Sequence, residues 1–589
     1  MAATTAGVQN LSGKSAGQES PVFGAAIEGS LASRLAGFLQ STLGLGLLGS
    51  LLVYLALPPC NLWPLAWVAP VPWLLLVRQA ELTGKRPYRA LWLAGFVFWL
   101  AAIHWLRLPH WTTYFGWLAL SFYLAFYVPA FVGLSRVAVQ RLGISVVLAA
   151  PVVWTGLELA RGHLLSGFTM GALSHTQIRW PAVIQIADVI GDYGVSGLVM
   201  FVAACVARMM PWRGQRLTLG PAVPLAAVVL AALGYGLWRT AGDHTRPGPA
   251  VALIQGSIDA EIKADEKKLN SVLDEYLKLS KQALDEQPNL DLLVWPETMY
   301  RYPLFTFADG FKPPTDWAST PAELSHTSLK NLRDLQEYFR AIVEDKYGAP
   351  LPPPLLLGID AVHFSNEGGN HYQEDYFNSA LFVNSQGEPL SQYDKMHPVM
   401  FGEYIPLADW FPFLYRITPL TGGLTSGTKA LSQKLGDVRY APSICYETVI
   451  PHLIRWQVLQ LRAQGEEPDV LVNITNDGWF RGSSELDMHL ACGVFRAIEM
   501  RKPLLISANT GFSAWIDSEG QIVQQAARRA ADVIIAKPQL DCRQSFYLDH
   551  GDLFSGICLT ACLGLAIVEL WDWRRKLRGN HPAEIKPPW

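Results

Sequence analysis

The chain has 589 residues, of which 50% are hydrophobic and 16% charged, and its formal net charge is −3. This length is enough for more than one domain, and the balanced charge gives no reason to expect nucleic acid as a partner. Because the apolar residues are spread unevenly along the chain, their positions carry more information than their average.

Residues 1–34 are rich in Ala, Gly, Ser and Thr and show no periodicity, so we predict a mobile cytoplasmic tail. A cleavable signal peptide fits this segment poorly. Its first apolar run comes late, and no pattern of small residues typical of a cleavage site follows it.

Residues 35–242 are predicted to form a membrane domain. No charged residue occurs from Leu35 to Val77, a stretch that Pro58 and Pro59 divide into two runs. Further uncharged runs follow at Ala90–Ile103, Thr112–Ser135, Leu142–Leu157, Tyr193–Ala207, Leu217–Trp238 and, near the end, Leu553–Val568. Since a membrane-spanning helix needs about 20 apolar residues, the chain is predicted to cross a membrane eight times, the eighth time at residues 553–572.

Basic residues in the connecting segments predict the orientation of these spans. They concentrate in alternate loops and after the last span: Arg78, Lys85, Arg86, Arg89, Arg136, Arg141, Arg208, Arg213, Arg216, Arg574, Arg575, Lys576 and Arg578. Loops rich in Lys and Arg stay in the cytoplasm. Both termini, including the tail at residues 573–589, are therefore predicted to be cytoplasmic, and residues 243–552 to lie outside.

The segment 243–552 has the pattern of an α/β domain. Short apolar runs typical of strands alternate with amphipathic stretches typical of helices. The predicted strands are Val251–Ile258, Leu292–Pro296, Leu355–Ile359, Ser379–Asn384, Val438–Ile444, Val470–Ile474, Leu504–Asn509 and Ala514–Asp517. The predicted helices are Ile262–Leu284, Leu324–Val343 and Ser484–Arg501.

Residues 307–354 are rich in Pro, Asp and Thr and are predicted to be an insertion. Its helix carries Leu332, Leu335 and Phe339 at intervals of three and four, which places them on one face. We expect a flap that packs this face near the site or on the bilayer surface. A surface excursion without a role is the alternative.

The chain has seven cysteines, and only Cys445, Cys492 and Cys542 fall outside the predicted spans. Three is an odd number, so at least one of them is unpaired within the chain. A Cys492–Cys542 disulfide is compatible with this count and would leave Cys445 free.

Cys445 stands where a predicted strand ends and a helix is predicted to begin, in "DVRYAPSICYETVIP" (437–451). The N–H groups at a helix start favour a thiolate and an oxyanion. Two more polar clusters follow apolar runs: Glu297 comes directly after Leu292–Pro296, and Lys395 precedes Glu403 in "YDKMHPVMFGEYIP". Together they offer a nucleophile, a base and a cation, which is the minimum set for acyl transfer through a thioester.

These residues resemble known motifs. Pro296-Glu297, Tyr393-Asp394-Lys395 and Cys445-Tyr446-Glu447 are similar to the Glu–Lys–Cys motifs of the nitrilase superfamily. Their place between seven predicted spans and one resembles the apolipoprotein N-acyltransferases of bacterial envelopes, as do "FGEYIPL" (401–407) and "NITNDGWF" (473–480). The departures from the family pattern are the insertion, Lys263-Ala264 and "GFTM" (167–170), which put lipid contacts in doubt rather than the chemistry.

The resemblance implies an αββα sandwich attached to a helical membrane domain in the bacterial cytoplasmic membrane. It implies Glu297 as base, Lys395 as oxyanion partner and Cys445 as nucleophile, with Glu403, Glu447, Asn378 and Tyr446 in support. The implied reaction moves a fatty acyl chain from a phospholipid to the α-amine of a diacylglyceryl-cysteine at the N-terminus of an apolipoprotein. It needs no metal or diffusible cofactor, and we expect a monomer.

Two other functions are compatible with the residues. A membrane-tethered amidase or nitrile hydrolase would use the same triad, although such an enzyme needs at most one membrane anchor. A transporter or receptor with a nitrilase-like binding domain is the other. Few charges fall within the predicted spans, which disfavours ion or solute transport.

Overall fold

The computed structural model describes residues 34–578 except 214, 260–268, 315–316, 349–350, 369–370, 409, 419 and 421. The predicted N-terminal tail up to residue 33, the first turns of the helix predicted from Ile262, Lys263-Ala264 and residues 579–589 lie outside the described residues.

The first part of the chain folds into apolar helices packed around one core. They are α1 (Thr42–Ala56), α2 (Val71–Arg78), α3 (Pro87–Ala102), α4 (Thr113–Leu124), α5 (Tyr127–Arg136), α6 (Val146–His163), α7 (Pro181–Ile184), α8 (Ala187–Met209) and α9 (Ala222–Thr240). Buried Trp73, Leu91, Phe131 and Val153 join several of these helices in a single apolar cluster. The helix Leu553–Arg578, which ends the described chain, adds Cys562 and Leu565 to it.

Within the described residues, four helical stretches are long and apolar enough to cross a membrane: Thr113–Arg141, Ala187–Met209, Ala222–Thr240 and Leu553–Arg575. Thr42–Ala56 and Trp63–Arg78 are shorter apolar helices. Each predicted apolar run therefore overlaps a helix, but the count of eight crossings stays a prediction. Some of the helices are shorter than the thickness of a bilayer requires.

The second part of the chain carries two large β-sheets and one two-stranded sheet among its described residues. The strands are β1 (Thr245–Arg246), β2 (Val251–Gln255), β3 (Leu292–Val294), β4 (Tyr300–Phe307), β5 (Leu355–Gly368), β6 (His371–Val383), β7 (Pro389–Asp394), β8 (Gln433–Leu435), β9 (Val438–Ile444), β10 (Val470–Thr475), β11 (Leu504–Ala508), β12 (Ala514–Ile516), β13 (Ile522–Gln525), β14 (Asp532–Ala536) and β15 (Leu540–Asp541). One sheet has the order β14-β2-β3-β5-β6-β7, with β4 beside β5. The other has the order β13-β12-β11-β10-β9-β8, and β1 pairs with β15 alone.

The two larger sheets pack face to face. Leu253, Val294 and Phe382 of one sheet meet Ile444 and Val472 of the other in a buried apolar layer. Neighbouring residues such as Leu293 and Leu471 point to the opposite faces, which helices cover. The central strands are therefore buried on both sides, which explains their nearly continuous apolar sequence. The predicted αββα sandwich is the observed arrangement.

The outer layers of the sandwich are helical. The remaining helices are α10 (Leu269–Glu286), α11 (Pro321–Tyr347), α12 (Pro451–Ala463), α13 (Glu485–Met500), α14 (Phe546–His550) and α15 (Leu553–Arg578). Helices α10 and α11 cover the sheet that contains β3, and α12 and α13 cover the sheet that contains β10.

The helix of the predicted insertion, α11, belongs to this layer. Leu332, Phe339 and Val343 are buried in the same apolar cluster as Leu293 and Leu355 of the sheet. The Gln336 side chain donates hydrogen bonds to the carbonyl oxygens of Pro353 and Asn384, at 3.0 and 2.9 Å. The predictions of a flap that packs this face near the site or on the bilayer surface, and of a surface excursion, were both wrong, because the apolar face is buried against the sheet.

Phe339→Ala is therefore expected to destabilise the sandwich. Its ring is 0% exposed, and the loss of a buried phenyl group typically costs about 3–5 kcal/mol. A lowered midpoint of thermal unfolding in detergent would show the effect. Tyr338→Ala is the control, since Tyr338 is 40% exposed and its removal should have a small effect. Equal midpoints for the two variants would contradict a core role for α11.

Buried ion pairs join the helices of the first part to the sandwich. Arg501, which follows α13, donates to Asp188 of α8 at 2.6 Å, and Arg239 of α9 also contacts Asp188, at 2.7 Å. Arg496 of α13 contacts Asp192 of α8 at 3.3 Å. The side chains of Arg496, Arg501, Asp188 and Asp192 are at most 1% exposed. These ion pairs hold α13 against α8.

Candidate active site

Three strands of the sandwich end close together and deliver the predicted residues to one place. Glu297 follows β3, Lys395 follows β7 and Cys445 follows β9. Pro296 breaks the ladder of β3, so the chain turns and Glu297 leaves the sheet. Glu297 and Lys395 are 5% and 2% exposed, so two opposite charges meet in a space largely closed to water.

Glu297 is held by three donors. Its Oε1 accepts from Asn378 Nδ2 at 2.6 Å and from Lys395 Nζ at 3.2 Å, and its Oε2 accepts from the backbone N–H of Asn476 at 2.8 Å. The donors come from β6, from the segment after β7 and from the segment after β10. The carboxylate is therefore fixed in position from several sides.

Lys395 lies between two carboxylates. Its Nζ is 3.2 Å from Glu297 Oε1 and 2.8 Å from Glu403 Oε1. Burial works to lower the pKa of Lys395, but Glu297 and Glu403 outweigh it, so the pKa lies well above its usual value. Glu403 is held in turn by the N–H of Val399, which donates to its Oε2 at 2.7 Å. The ammonium group therefore stays charged at neutral pH and can face a developing oxyanion.

Cys445 lies at the end of β9 in a left-handed backbone conformation, with φ of 52°. A five-residue 3-10 turn, Cys445–Val449, follows, and the α-helix α12 begins only at Pro451. A helix was predicted to begin at Cys445. The helix that begins there is a single 3-10 turn, and it separates the thiol from the α-helix α12.

Burial raises the pKa of the Cys445 thiol well above its usual value, and Glu297 raises it further, whereas Lys395 lowers it. The raised pKa favours the protonated thiol at rest, so the effect of a helix start on the thiol is outweighed by burial. A nucleophile of this kind needs a base to take its proton, and a carboxylate such as Glu297 is suited to that task.

Glu447 connects the turn at Cys445 with the segment that carries Lys395. Its carboxylate accepts from the N–H groups of Ile444 and Met396, both at 2.7 Å, and of His397 at 3.1 Å. The Tyr393 hydroxyl donates to both of its oxygens, at 2.9 and 2.8 Å. Glu447 therefore holds the backbone on either side of Lys395 and Cys445 in one geometry.

Among the predicted supporting residues, Asn378, Glu403 and Glu447 contact the cluster directly or hold its backbone. Tyr446 points elsewhere, since its hydroxyl donates to the carbonyl oxygen of Gly167 at 2.9 Å. Gly167 is the first residue of the "GFTM" segment, which follows α6. Tyr446 therefore connects the turn at Cys445 to that segment rather than to the charged groups.

Sequence reasoning missed three contributors to the site. The N–H of Asn476 binds Glu297, and the side chains of Asn473 and His489 contact the carbonyl oxygen of Cys445. Asn473 and Asn476 lie in the family-like string "NITNDGWF", but the string alone predicts no role for either residue. His489 gave no signal beyond its place on a predicted helix.

Asp477, Glu485 and His489 form one further group of ligand-type side chains beside the site. Their carboxylate oxygens and ring nitrogen lie within 4.8 Å of one another, and all three side chains are buried. Burial raises the pKa of Glu485 well above its usual value, and Asp477 raises it further.

All seven cysteines are free thiols in the described part of the chain. Cys492 is buried in α13 and Cys542 is exposed. The Cys492–Cys542 disulfide that the sequence allowed is therefore not formed, and Cys445 remains the free thiol that lies beside a lysine and a carboxylate.

The sandwich is a carbon-nitrogen hydrolase domain: the family model of that description matches residues 354–546, which include Lys395 and Cys445. A model for the apolipoprotein N-acyltransferase N-terminal domain matches residues 49–205. An apolipoprotein N-acyltransferase from Geobacter metallireducens is 33% identical over 552 residues, which cover 90% of this chain and 95% of the relative. The chain belongs to the apolipoprotein N-acyltransferase family.

Two further proteins are similar to this chain. An apolipoprotein N-acyltransferase from Rhodopirellula baltica is 29% identical over 572 residues, covering 90% of this chain and 97% of the relative. Among solved structures, Nit3 of Saccharomyces cerevisiae, a member of the nitrilase superfamily, has 17% identity and a TM-score of 0.34. It covers 53% of this chain and 98% of its own.

Proposed function

We propose that this chain moves a fatty acyl chain from a phospholipid, through a thioester on Cys445, to the α-amine of the N-terminal diacylglyceryl-cysteine of apolipoproteins. The observation that carries the proposal is the cluster of buried Glu297 and Lys395 with half-buried Cys445 in a chain of this family. The names of the relatives support an N-acyl transfer to apolipoproteins.

In the first step Glu297 takes the proton of the Cys445 thiol. The sulfur attacks an ester carbonyl of the phospholipid, a C–S bond forms, and Lys395 stabilises the oxyanion. The ester C–O bond then breaks, and the proton on Glu297 passes to the departing lysophospholipid oxygen. In the second step the lipoprotein amine attacks the thioester and gives up a proton to Glu297. The C–S bond breaks, and the proton returns to the sulfur. A two-step path of this kind lets one site serve both lipids in turn.

The surface beside the site supports a lipid substrate. The segment that carries Glu403 exposes Phe401, Leu407 and Trp410, which are 58%, 63% and 79% accessible. Apolar side chains exposed in a group mark a binding surface, and acyl chains would be costly to leave in water, at about 0.8 kcal/mol per CH₂. An amidase acting on small soluble amides would have no use for this surface.

We further propose that the chain is a multi-pass protein of the bacterial cytoplasmic membrane. Residues 35–242 and 553–572 would supply eight spans, and residues 243–552 would form the catalytic domain on the outer side. The alternation of basic loops supports this orientation, and the apolar helices are compatible with it. Cysteine-labelling of single-cysteine variants in intact cells would test each loop.

Intact-mass analysis of the purified protein tests the function directly. Incubation with a phospholipid of known acyl chain is expected to add the mass of that acyl group to Cys445. Addition of a peptide with an N-terminal diacylglyceryl-cysteine should remove the adduct and leave the peptide acylated on its amine. Release of free fatty acid without an acylated peptide would favour the hydrolase, and no adduct with any phospholipid would refute the proposal.

A further inference from the structure

The candidate nucleophile has a strained backbone that something must hold. Cys445 has φ of 52° although it is not glycine, and such a conformation costs on the order of 1–3 kcal/mol. Its carbonyl oxygen accepts hydrogen bonds from Asn473 Nδ2 and from Thr448 Oγ1, both at 3.3 Å. Both hydrogen bonds are long and therefore weak, so a further donor to this carbonyl oxygen would add to its stabilisation.

His489 of α13 makes the shortest of the contacts to this carbonyl group. Its Nε2 lies 3.1 Å from the Cys445 oxygen and 2.9 Å from Thr448 Oγ1. A carbonyl oxygen only accepts hydrogen bonds, so Nε2 carries a proton and is the donor. Thr448 in turn donates its own hydroxyl proton to the same carbonyl oxygen.

The other nitrogen of the ring faces a carboxylate. His489 Nδ1 is 3.4 Å from Asp477 Oδ1, and Thr475 Oγ1 donates to that same oxygen at 2.9 Å. His489 is 5% exposed and Asp477 is 2% exposed, so water does not compete for these contacts. A carboxylate, like a carbonyl oxygen, only accepts hydrogen bonds, so Nδ1 carries a proton as well and the ring is the charged imidazolium. Asp477 fixes the orientation of this ring, and Nε2 is then the donor that faces Cys445.

We infer that His489, oriented by Asp477, is a positioning residue that holds the carbonyl group of Cys445 and thereby aims its thiol at the ester carbonyl of the acyl donor. The inference rests on the proposed function. His489 lies on α13, Asp477 follows β10 and Cys445 follows β9. A residue of the helical layer therefore holds the strained turn in place.

Two substitutions at His489 separate a positioning role from a general structural one. His489→Gln retains an N–H donor near the position of Nε2, whereas His489→Leu fills the space without a donor. We expect His489→Leu to lower the single-turnover rate of Cys445 acylation by about 10²-fold, the cost of a small misplacement of a reacting group. His489→Gln should recover most of that rate, and Asp477→Asn should fall between the two.

Alkylation of Cys445 by iodoacetamide is the second measurement. This small reagent approaches from any direction, so its rate should be similar in wild type and His489→Leu if the thiol is intact but wrongly aimed. The KM for phospholipid should also stay unchanged while kcat falls. His326→Leu, on the exposed side of α11, is the matched control and should behave as wild type in all assays.

The outcomes are distinct. Acylation of wild type with undiminished rates in His489→Leu would overturn the inference and leave the proposed function intact. His489→Gln as slow as His489→Leu would also overturn it, because the retained donor would then have no effect. If wild type bound one metal ion per chain and His489→Leu bound none, the inference would also be overturned. His489 would then be a metal ligand together with Asp477 and Glu485. No acylation of wild type would refute the proposed function itself.

Discussion

Cys445→Ser is expected to form no detectable acyl adduct and to lose turnover by on the order of 10⁴-fold or more, as removal of a catalytic nucleophile does in other enzymes that form acyl intermediates. A serine hydroxyl is far less acidic than a thiol, and the site offers a carboxylate rather than an imidazole to take its proton. The hydroxyl also fits the space of the thiol, so folding should be retained. Intact-mass analysis after incubation with phospholipid measures the adduct.

Two matched cysteine variants serve as controls for this result. Cys542 is exposed, and Cys542→Ser should react as wild type. Cys492 is buried, and burial raises the pKa of its thiol to about 12, so this thiol is not a nucleophile at neutral pH. Cys492→Ala should therefore keep most of the activity. An acyl adduct that persists in Cys445→Ser and disappears in either control would move the nucleophile to that residue.

Lys395→Met should slow adduct formation by about 10²–10³-fold, the usual cost of removing one donor that stabilises an oxyanion. The substitution also leaves Glu297 and Glu403 facing one another without the cation between them, so we expect a lower midpoint of thermal unfolding. Two like charges in a buried space destabilise the fold. The single-turnover acylation rate and the midpoint are measured on the same preparation.

A double variant separates the chemical effect of Lys395 from its effect on the fold. Lys395→Met with Glu403→Gln removes one of the two carboxylate charges and should recover much of the midpoint while acylation stays slow. Lys434→Met, an exposed lysine of β8, is the control for loss of a positive charge. Recovery of the acylation rate together with the midpoint would show that Lys395 acts only on stability.

The core strands of the sandwich were predictable from the sequence because they are buried on both faces. Val438–Ile444 is observed with the predicted bounds. The strand β4 was missed because Tyr300–Phe307 mixes Arg301 and Pro303 with aromatic residues and has no regular alternation. The sequence predicts helix α11 but not its place in the core. The polar segments around it are typical of a surface loop, although its apolar face is buried against the sheet.

The three residues predicted to form the triad could be picked out because each follows an apolar strand, and the structure brings the ends of these strands together. Their catalytic role stays a prediction. Other contacts of the site join residues that are far apart in the sequence, and no local sequence pattern predicts them. The N–H of Asn476 is 179 residues away from Glu297 in sequence, and His489 is 44 residues away from Cys445. The left-handed conformation of Cys445 was also unforeseen, because nothing in its neighbours demands it.

Arg496 of α13, Arg501 directly after it and the two aspartates of α8 also limit how this chain can diverge. A buried ion pair that loses one partner typically costs about 3–5 kcal/mol, because the remaining charge is left without compensation. A catalytic half inherited from a relative with other residues at 496 and 501 would meet Asp188 and Asp192 without their partners. Recombination between relatives would therefore succeed only when both halves are exchanged together, and substitutions at these four positions should be correlated among descendants.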